Sequence, residues 1–167
     1  GHVNATAEID DTGLRRIASE NHGRFTLPNG VDFATPGVGS APNVIFTSKW
    51  DNYPDEVTIP LTGKAMRVQL LMAGSTNHMQ SRLTNGEVVA RYTDGTTSTF
   101  ALRNPNTWWP IDQDYFVDDY QFRISGALPT RVNLKTGEVR VLDLGTFKGK
   151  GREIPGGAAT VLTMALD

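Results

Sequence analysis

A twenty-residue window from Arg103 to Phe122 concentrates side chains that are suited to recognising a sugar. It reads RNPNTWWPIDQDYFVDDYQF and holds six aromatic residues together with four aspartates. An aromatic ring can cover the C–H face of a pyranose while polar groups bond the sugar hydroxyls, because Asp accepts, Arg donates and Asn does both. The window therefore predicts a carbohydrate-binding surface.

Trp108 and Trp109 are the predicted stacking platforms. Successive side chains of a strand point to opposite faces, so one ring is expected in the core and the other on the surface. The alternative is that the window is ordinary β-sandwich core, since aromatic residues dominate cores and favour strands. The other predicted contacts in the window are Arg103, Asn104, Asp112, Gln113, Asp114 and Tyr115.

A second cluster, Trp50-Asp-Asn-Tyr53-Pro54, has the polar and aromatic composition of a loop. Loops carry binding residues more often than the elements that they connect. Trp50 and Tyr53 are therefore predicted to extend the carbohydrate surface. The alternative for Trp50 is that it covers an edge of the core.

The aspartates also raise the question of catalysis. Most glycoside hydrolases use two carboxyl groups, about 5–5.5 Å apart in retaining enzymes and about 6.5–9.5 Å apart in inverting ones. Asp112, Asp114 and Asp118 could supply them on spacing alone. A domain of short strands is, however, a common accessory architecture, so we predict no catalytic residues and keep a glycosidase fragment as the less favoured alternative.

Composition excludes several other classes of function. The chain has no Cys, which excludes thiol catalysis and Cys-ligated zinc, and its three His are widely spaced. A structural calcium ion is the one cofactor left open, with Asp10-Asp11 and Asp118-Asp119 as candidate pairs. A net charge of -2 with scattered Lys and Arg argues against a nucleic-acid partner. No apolar run is long enough to cross a bilayer.

The elements that must position these residues are predicted to be strands separated by turns. Asp94-Gly95 gives the sharpest turn, because Val88, Ala90 and Tyr92 alternate before it with the intervening residues Val89, Arg91 and Thr93. Residues Thr12–Ser19 predict one short helix with Thr12 as its N-cap. The predicted strands are Asn43–Thr47, Val57–Leu61, Ala65–Met72, Glu87–Thr93, Ser98–Arg103, Tyr120–Ile124, Glu138–Phe147 and Ala159–Leu166.

Together these elements predict an all-β fold, an antiparallel β-sandwich with at least eight strands and less than about one-tenth helix. The 167 residues predict a single module spanning 1–167. Residues 1–22 are expected to be poorly ordered or to pack at an edge. The chain is expected to be a piece of a larger multidomain protein, since Gly1-His2 is typical of a tag remnant and the sequence stops within an apparent strand.

Several stretches of the chain resemble galactose-binding-like jelly-roll domains that are attached to bacterial glycan-degrading enzymes. The similarity extends to the β-sandwich module of large, secreted Bacteroidetes proteins that also carry a six-hairpin glycosidase-like domain. It covers roughly Gly30 to Leu166, and its most specific element is Trp108-Trp-Pro-Ile111. The other stretches are Asn43–Pro54, Val57–Leu61, Leu70–Asn77, Arg91–Thr96, Asn104-Pro105 and Gln113–Tyr115.

The resemblance implies a jelly-roll fold and a non-catalytic carbohydrate-binding module that targets an associated glycoside hydrolase to a polysaccharide. It also implies a neighbouring catalytic domain as partner and an extracellular, periplasmic or cell-surface location. The alternative from another class is a structural or interaction domain that braces the neighbouring glycosidase domain. In that case the Trp-Trp segment would pack against the neighbour and leave an apolar patch exposed on the isolated chain.

Overall fold

Antiparallel strands make up most of the regular secondary structure. A computed structural model describes residues 9–35, 39–49, 53–75, 82–114, 127–141 and 152–167. Within these ranges the chain forms one helix and ten strands: α1 (Thr12–Glu20), β1 (Arg24–Thr26), β2 (Asp32–Ala34), β3 (Arg67–Met72), β4 (Thr84–Arg91), β5 (Thr97–Arg103), β6 (Gln113–Asp114), β7 (Arg131–Asn133), β8 (Val139–Arg140), β9 (Arg152–Glu153) and β10 (Ala158–Ala165). Their pairings are all antiparallel. The prediction of a β-rich chain with one short helix is confirmed.

Four strands form the main sheet, in the order β3-β10-β7-β8. The others pair in twos, β1 with β2, β4 with β5 and β6 with β9. At the centre of the main sheet, Thr160 of β10 lies opposite Met72 on one side and Arg131 on the other. Strands β10 and β7 are therefore interior, and the polar side chains of Thr160 and Arg131, both 0% exposed, must find their partners inside the protein.

The main apolar cluster joins the sheet to α1, to the β1–β2 hairpin and to the aromatic window. Its buried members are Leu14, Phe25, Leu27, Ile111, Val132, Leu134 and Ala159. Burying one large apolar side chain contributes about 1.5–3 kcal/mol. Ile111 is also tied through its backbone, since its N donates to Gly74 O (2.8 Å) and its O accepts from Ala158 N (2.8 Å). The Trp-Trp-Pro-Ile segment is thus anchored directly on the sheet.

The Asp94-Gly95 hairpin is confirmed. Strands β4 and β5 pair along their length, and Tyr92 N donates to Thr96 O (2.9 Å) across the turn. Gly95 has a φ of 87°, which a residue with a side chain rarely adopts. The Asp94 carboxylate accepts from the Thr96 hydroxyl (2.7 Å) and backbone N (2.9 Å), and these bonds lower the pKa of Asp94. Local turn chemistry is sufficient to set this element.

Two predicted strands are wrong. Asn43–Thr47 and Val57–Leu61 have β-branched and alternating apolar residues, yet neither stretch forms a strand. A strand needs a neighbour, and β propensity measures the fit of a side chain to a paired surface rather than a backbone preference. Within the described residues of Glu138–Phe147, only Val139–Arg140 is a strand. Tyr120–Ile124 lies outside the described residues.

The predicted helix is confirmed over Thr12–Glu20, but its N-cap is Asp11 rather than Thr12. The Asp11 side chain makes no capping bond. Its carboxylate instead accepts from Arg15 Nε, one turn along the helix (2.9 Å). A backbone bond ties α1 to the turn after β7, since Leu14 N donates to Leu134 O (3.0 Å).

Replacing Gly13 by alanine is expected to destabilise the protein, although alanine is ordinarily the better helix former by about 1 kcal/mol. A Cβ on Gly13 would lie 2.4 Å from Lys135 O, 2.5 Å from Thr136 C and 2.6 Å from Gly137 N, all of them backbone atoms. Relieving that overlap must move the helix or the turn, so we expect a net loss of about 1–3 kcal/mol. Urea unfolding of the variant measures the loss.

Ser19, an exposed position on the same helix, provides the matched control. Ser19→Ala has no overlap to relieve and is expected to raise stability by a few tenths of a kcal/mol, about what helix propensity gives. If Gly13→Ala were as stable as Ser19→Ala, the close approach of α1 to the turn would be disproved.

Candidate functional site

The structure divides the predicted contacts into a buried set and an exposed set. Four are buried, with at most 2% of their surface exposed: Trp108, Trp109, Asn104 and Asp114. Three are exposed, namely Arg103, Asp112 and Tyr53, and Gln113 is half-buried. Trp50 and Tyr115 lie outside the described residues. A side chain without exposed surface cannot touch a polysaccharide, so the predicted contacts do not form one continuous surface.

The expectation that one tryptophan would be exposed is wrong. Trp108 is 2% exposed and Trp109 is 0% exposed. Opposite orientation of neighbours holds for a strand, and residues 104–110 form turns and irregular backbone between β5 and β6. Both rings can therefore enter the interior, and neither can stack on a sugar in this conformation.

Each ring has identifiable interior neighbours. Trp108 lies over Gly74, where a Cβ would be 3.2 Å from Trp108 Cζ3. Trp109 Nε1 donates to Pro105 O (3.0 Å), and Trp109 N donates to the hydroxyl of Thr160 (3.2 Å) in the central strand. The Trp-Trp pair is consequently part of the packing that fixes the aromatic window to the sheet.

Arg131 of β7 forms a fully buried ion pair with Asp114 of the aromatic window. Arg131 Nε donates to Asp114 Oδ1 (3.1 Å), and both side chains are 0% exposed. Arg140, 23% exposed, donates from Nη2 to Asp114 Oδ2 (2.6 Å). Both oxygens of Asp114 are thus occupied by guanidinium groups. This arrangement does not favour Asp114 as a general acid, a nucleophile or an acceptor for a sugar hydroxyl.

The rest of the Arg131 guanidinium holds the backbone of the aromatic window. Nη1 donates to Trp109 O (3.1 Å) and to the hydroxyl of Thr160 (2.8 Å), and Nη2 donates to Pro110 O (2.5 Å). The guanidinium carbon also lies 6.0 Å from the centroid of the Trp109 ring. Burial lowers the pKa of Arg131, and the charge of Asp114 opposes that shift. Arg131 therefore acts as an internal clamp on the window.

Most of the remaining polar residues predicted to contact a sugar are buried or bonded to other parts of the protein. Asn104 is 0% exposed, and its side-chain amide has no hydrogen-bond partner in the described part of the protein. Arg103 is exposed and donates from Nε to the Thr84 hydroxyl of the neighbouring strand (3.3 Å). The backbone oxygen of Gln113 accepts from Arg131, and the backbone oxygen of Asp112 accepts from Ile154 N. Among the predicted contacts in the described part of this window, Arg103 and Asp112 are the ones that offer exposed polar side chains.

An exposed aromatic pair lies elsewhere, between α1 and the main sheet in sequence. Phe46 is 52% exposed and Tyr53 is 57% exposed. Their ring centroids are 4.7 Å apart and their planes meet at 73°, an edge-to-face contact. Backbone closes this loop, since Ser48 N donates to Pro54 O (2.9 Å). The pair presents aromatic surface to solvent together with one phenol hydroxyl.

The candidate calcium ligands at the N-terminal side are engaged by other groups. Asp10 accepts from the hydroxyl (2.6 Å) and backbone N (3.2 Å) of Thr12, and these bonds lower the pKa of Asp10. Asp11 accepts from Arg15 and from Asn43 Nδ2 (2.9 Å). No cluster of three or more potential metal ligands occurs among the described residues. Asp118-Asp119 lies outside them.

Comparison with known proteins returned no match: no family model, no curated protein and no solved structure resembles this chain at a significant level. Within the ranges that the structure describes, no helix is long and apolar enough to cross a membrane.

Sequence reasoning missed Arg131, Arg140 and Phe46. Arg131 precedes Val132, a core residue, so strict alternation would turn Arg131 towards solvent. The pattern fails because β7 is an interior strand covered on both faces, and Arg131 and Val132 are both 0% exposed. For Phe46 a usable signal was present, since it lies in the same loop-rich stretch as Tyr53.

Proposed function

We propose that this chain is a non-catalytic carbohydrate-binding module, of jelly-roll β-sandwich type, that serves a neighbouring glycoside hydrolase outside the cell. The observation that carries this proposal is the exposed edge-to-face pair of Phe46 and Tyr53. The antiparallel, strand-rich fold is compatible with a jelly roll, and the resemblance of the Trp108-Trp-Pro-Ile111 segment to accessory modules of glycan-degrading enzymes supports the function.

The aromatic pair has the chemistry that sugar recognition requires. Aromatic faces bury apolar C–H surface, and the Tyr53 hydroxyl can donate to or accept from a sugar hydroxyl. The edge-to-face geometry holds the two rings at a fixed angle, so less conformational freedom is lost when a ligand binds. Exposed Lys49 and Asp55 flank the pair and supply a charged donor and a charged acceptor. The platform is therefore moved from Trp108 and Trp109 to this loop.

Tyr53→Ala and Phe46→Ala are each expected to weaken polysaccharide binding at least about tenfold, because each removes half of the aromatic platform. Stability should change by no more than about 0.5–1 kcal/mol, since both rings are largely exposed. Affinity gel electrophoresis against a panel of plant and host polysaccharides measures binding, and urea unfolding measures stability.

Leu83→Ala serves as the matched control, because Leu83 is 59% exposed and lies on a different part of the chain. It should leave polysaccharide binding unchanged. A double variant with Phe46 and Tyr53 both replaced that still binds the polysaccharide would place the site elsewhere. A wild-type chain that binds none of the panel would contradict the carbohydrate proposal.

A second candidate is a structural or interaction domain that braces a neighbouring glycosidase domain. It is favoured by the number of large apolar side chains on the surface between residues 44 and 66. Patches of this kind commonly mark protein interaction sites. The exposed members are Val44, Ile45, Phe46, Tyr53, Val57, Ile59, Leu61 and Met66. Absence of glycan binding, together with stable association between this surface and a glycosidase domain, would favour this candidate.

A further inference from the structure

The surface segment 55–64, here called the edge segment, has the properties of a strand without a neighbour. Its chain makes no turn or bend over its central residues. Across the described part of the protein, no backbone hydrogen bond of the edge segment is present. Val57, Ile59 and Leu61 alternate along it and are 49%, 49% and 73% exposed. Unpaired backbone groups beside alternating apolar side chains form a template for a further strand.

We propose that the edge segment pairs antiparallel with the edge segment of a second copy of this chain, with Ile59 on the two-fold axis. Val57 of one copy then lies opposite Leu61 of the other. Side chains two residues apart point the same way, so six apolar side chains meet on one face of the new two-stranded ribbon. The contact is self-complementary, as a closed two-fold dimer requires.

Pro60 determines which backbone groups face the second copy. In an antiparallel pair, residues alternate between positions that exchange both hydrogen bonds and positions that exchange none. Pro60 has no N–H and fits only the second kind. In the proposed register Pro60 lies opposite Thr58 of the other copy at such a position. Ile59 and its apolar neighbours, Val57 and Leu61, then make the hydrogen bonds.

The charges of the edge segment favour a second copy in antiparallel orientation. Asp55 and Glu56 lie at one end and Lys64 at the other, and none of the three is in an ion pair within the described residues. In the proposed register Glu56 is diagonal to Lys64 of the other copy on the same face, about 7–8 Å apart at Cα and within reach of long side chains. Parallel pairing would instead place Glu56 against Glu56 and Lys64 against Lys64.

Disulfide trapping tests the register directly, because the chain has no cysteine. In the proposed dimer the two copies of residue 59 lie about 5.5 Å apart at Cα, inside the range of about 4.4–6.8 Å that a disulfide spans. Ile59→Cys should therefore form a covalent dimer under oxidised glutathione at least about ten times faster than Leu83→Cys, a control at a position that is no less exposed. Equal rates for the two variants would overturn the proposal.

Sedimentation velocity over a concentration series tests the contact in the unmodified chain. One strand from each copy makes an interface smaller than the usual 1,600 Å² or so, and we expect a reversible dimer with a dissociation constant in the range of about 10 μM to 1 mM. Ile59→Lys places two like charges on the axis and should weaken the dimer at least about tenfold. Val141→Lys, at a position 75% exposed, should not.

Charge reversal identifies the second copy as the partner. Glu56→Lys alone and Lys64→Glu alone should each weaken the dimer about threefold or more, and the double variant should recover to within about twofold of the wild type. A wild-type chain that stays monomeric at about 1 mM, a dimer indifferent to Ile59→Lys, or a double variant as weak as the single ones would overturn the proposal. None of these measurements involves a glycan, so they are independent of the carbohydrate proposal.

Discussion

Arg131→Ala is expected to cost about 3–5 kcal/mol of unfolding free energy, because it removes one partner of a buried ion pair. The change leaves Asp114 with Arg140 as its remaining guanidinium partner. It also removes the bonds that Arg131 donates to the carbonyl oxygens of Trp109 and Pro110. A loss of this size is a large fraction of the stability of a domain, so the variant is expected to be partly unfolded at 37 °C. Urea unfolding at pH 7 measures it.

Two other arginines calibrate this result. Arg140→Ala removes one hydrogen bond to a buried carboxylate, from a side chain that is partly exposed, and should cost about 1.5–3 kcal/mol. Arg24→Ala breaks an exposed pair with Asp32 that solvent screens, and should cost the least of the three. The expected order of loss is Arg131, then Arg140, then Arg24. An Arg131 variant as stable as the Arg24 variant would show that Arg131 does not clamp the aromatic window.

Arg131→Lys separates charge from geometry. Arg131 directs three nitrogens at five different groups, whereas lysine has one nitrogen with three donors. Lysine can keep the ion pair with Asp114 but cannot reach the carbonyl oxygens of the window at the same time. We expect a stability between those of the wild type and Arg131→Ala. A fully stable lysine variant would show that only the charge matters.

The parts of the fold that could be predicted from the sequence are those determined by neighbours along the chain. The Asp94-Gly95 hairpin follows from two turn residues and flanking alternation, and α1 follows from nine consecutive residues. Strand β10 also follows, because the apolar residues Leu162 and Met164 alternate with the polar residue Thr163. In the structure Leu162 and Met164 are buried and Thr163 is exposed, as that alternation predicts. In each case the information lies within about ten residues, the range over which periodicity is informative.

The parts that could not be predicted depend on what covers a residue in space. Val57 and Ile59 alternate as strand residues do, but whether they pair is decided by the presence of a neighbouring strand. Arg131 belongs to a short strand whose pattern gives no sign that both of its faces are covered. The prediction of a sugar site in the aromatic window failed for a related reason, since the composition of the window suits a sugar site and a packed core equally. Asp114 could be recognised as structural only when its two arginine partners were known.

The exposed and buried aromatic residues should therefore respond to truncation in opposite ways. Trp109→Ala is expected to cost about 3–5 kcal/mol through the cavity that it leaves in the interior. The change also removes the Nε1 bond to Pro105 O and the ring beside Arg131. Tyr53→Ala should leave stability nearly unchanged and remove binding instead. The contrast follows from an exposed fraction of 0% for Trp109 against 57% for Tyr53.

Denaturant melts and affinity gels on Trp109→Ala, with Trp109→Phe beside it, decide which role the ring has. The phenylalanine variant keeps most of the buried volume and should recover more than half of the stability lost on truncation, while still lacking the bond to Pro105. Glycan binding by the folded fraction of either variant should equal that of the wild type, because the ring has no exposed surface. If Trp109→Ala were instead as stable as Leu83→Ala and had lost glycan binding, the ring would be a stacking platform after all, and the window from Arg103 to Asp114 would have to open towards solvent when the sugar binds.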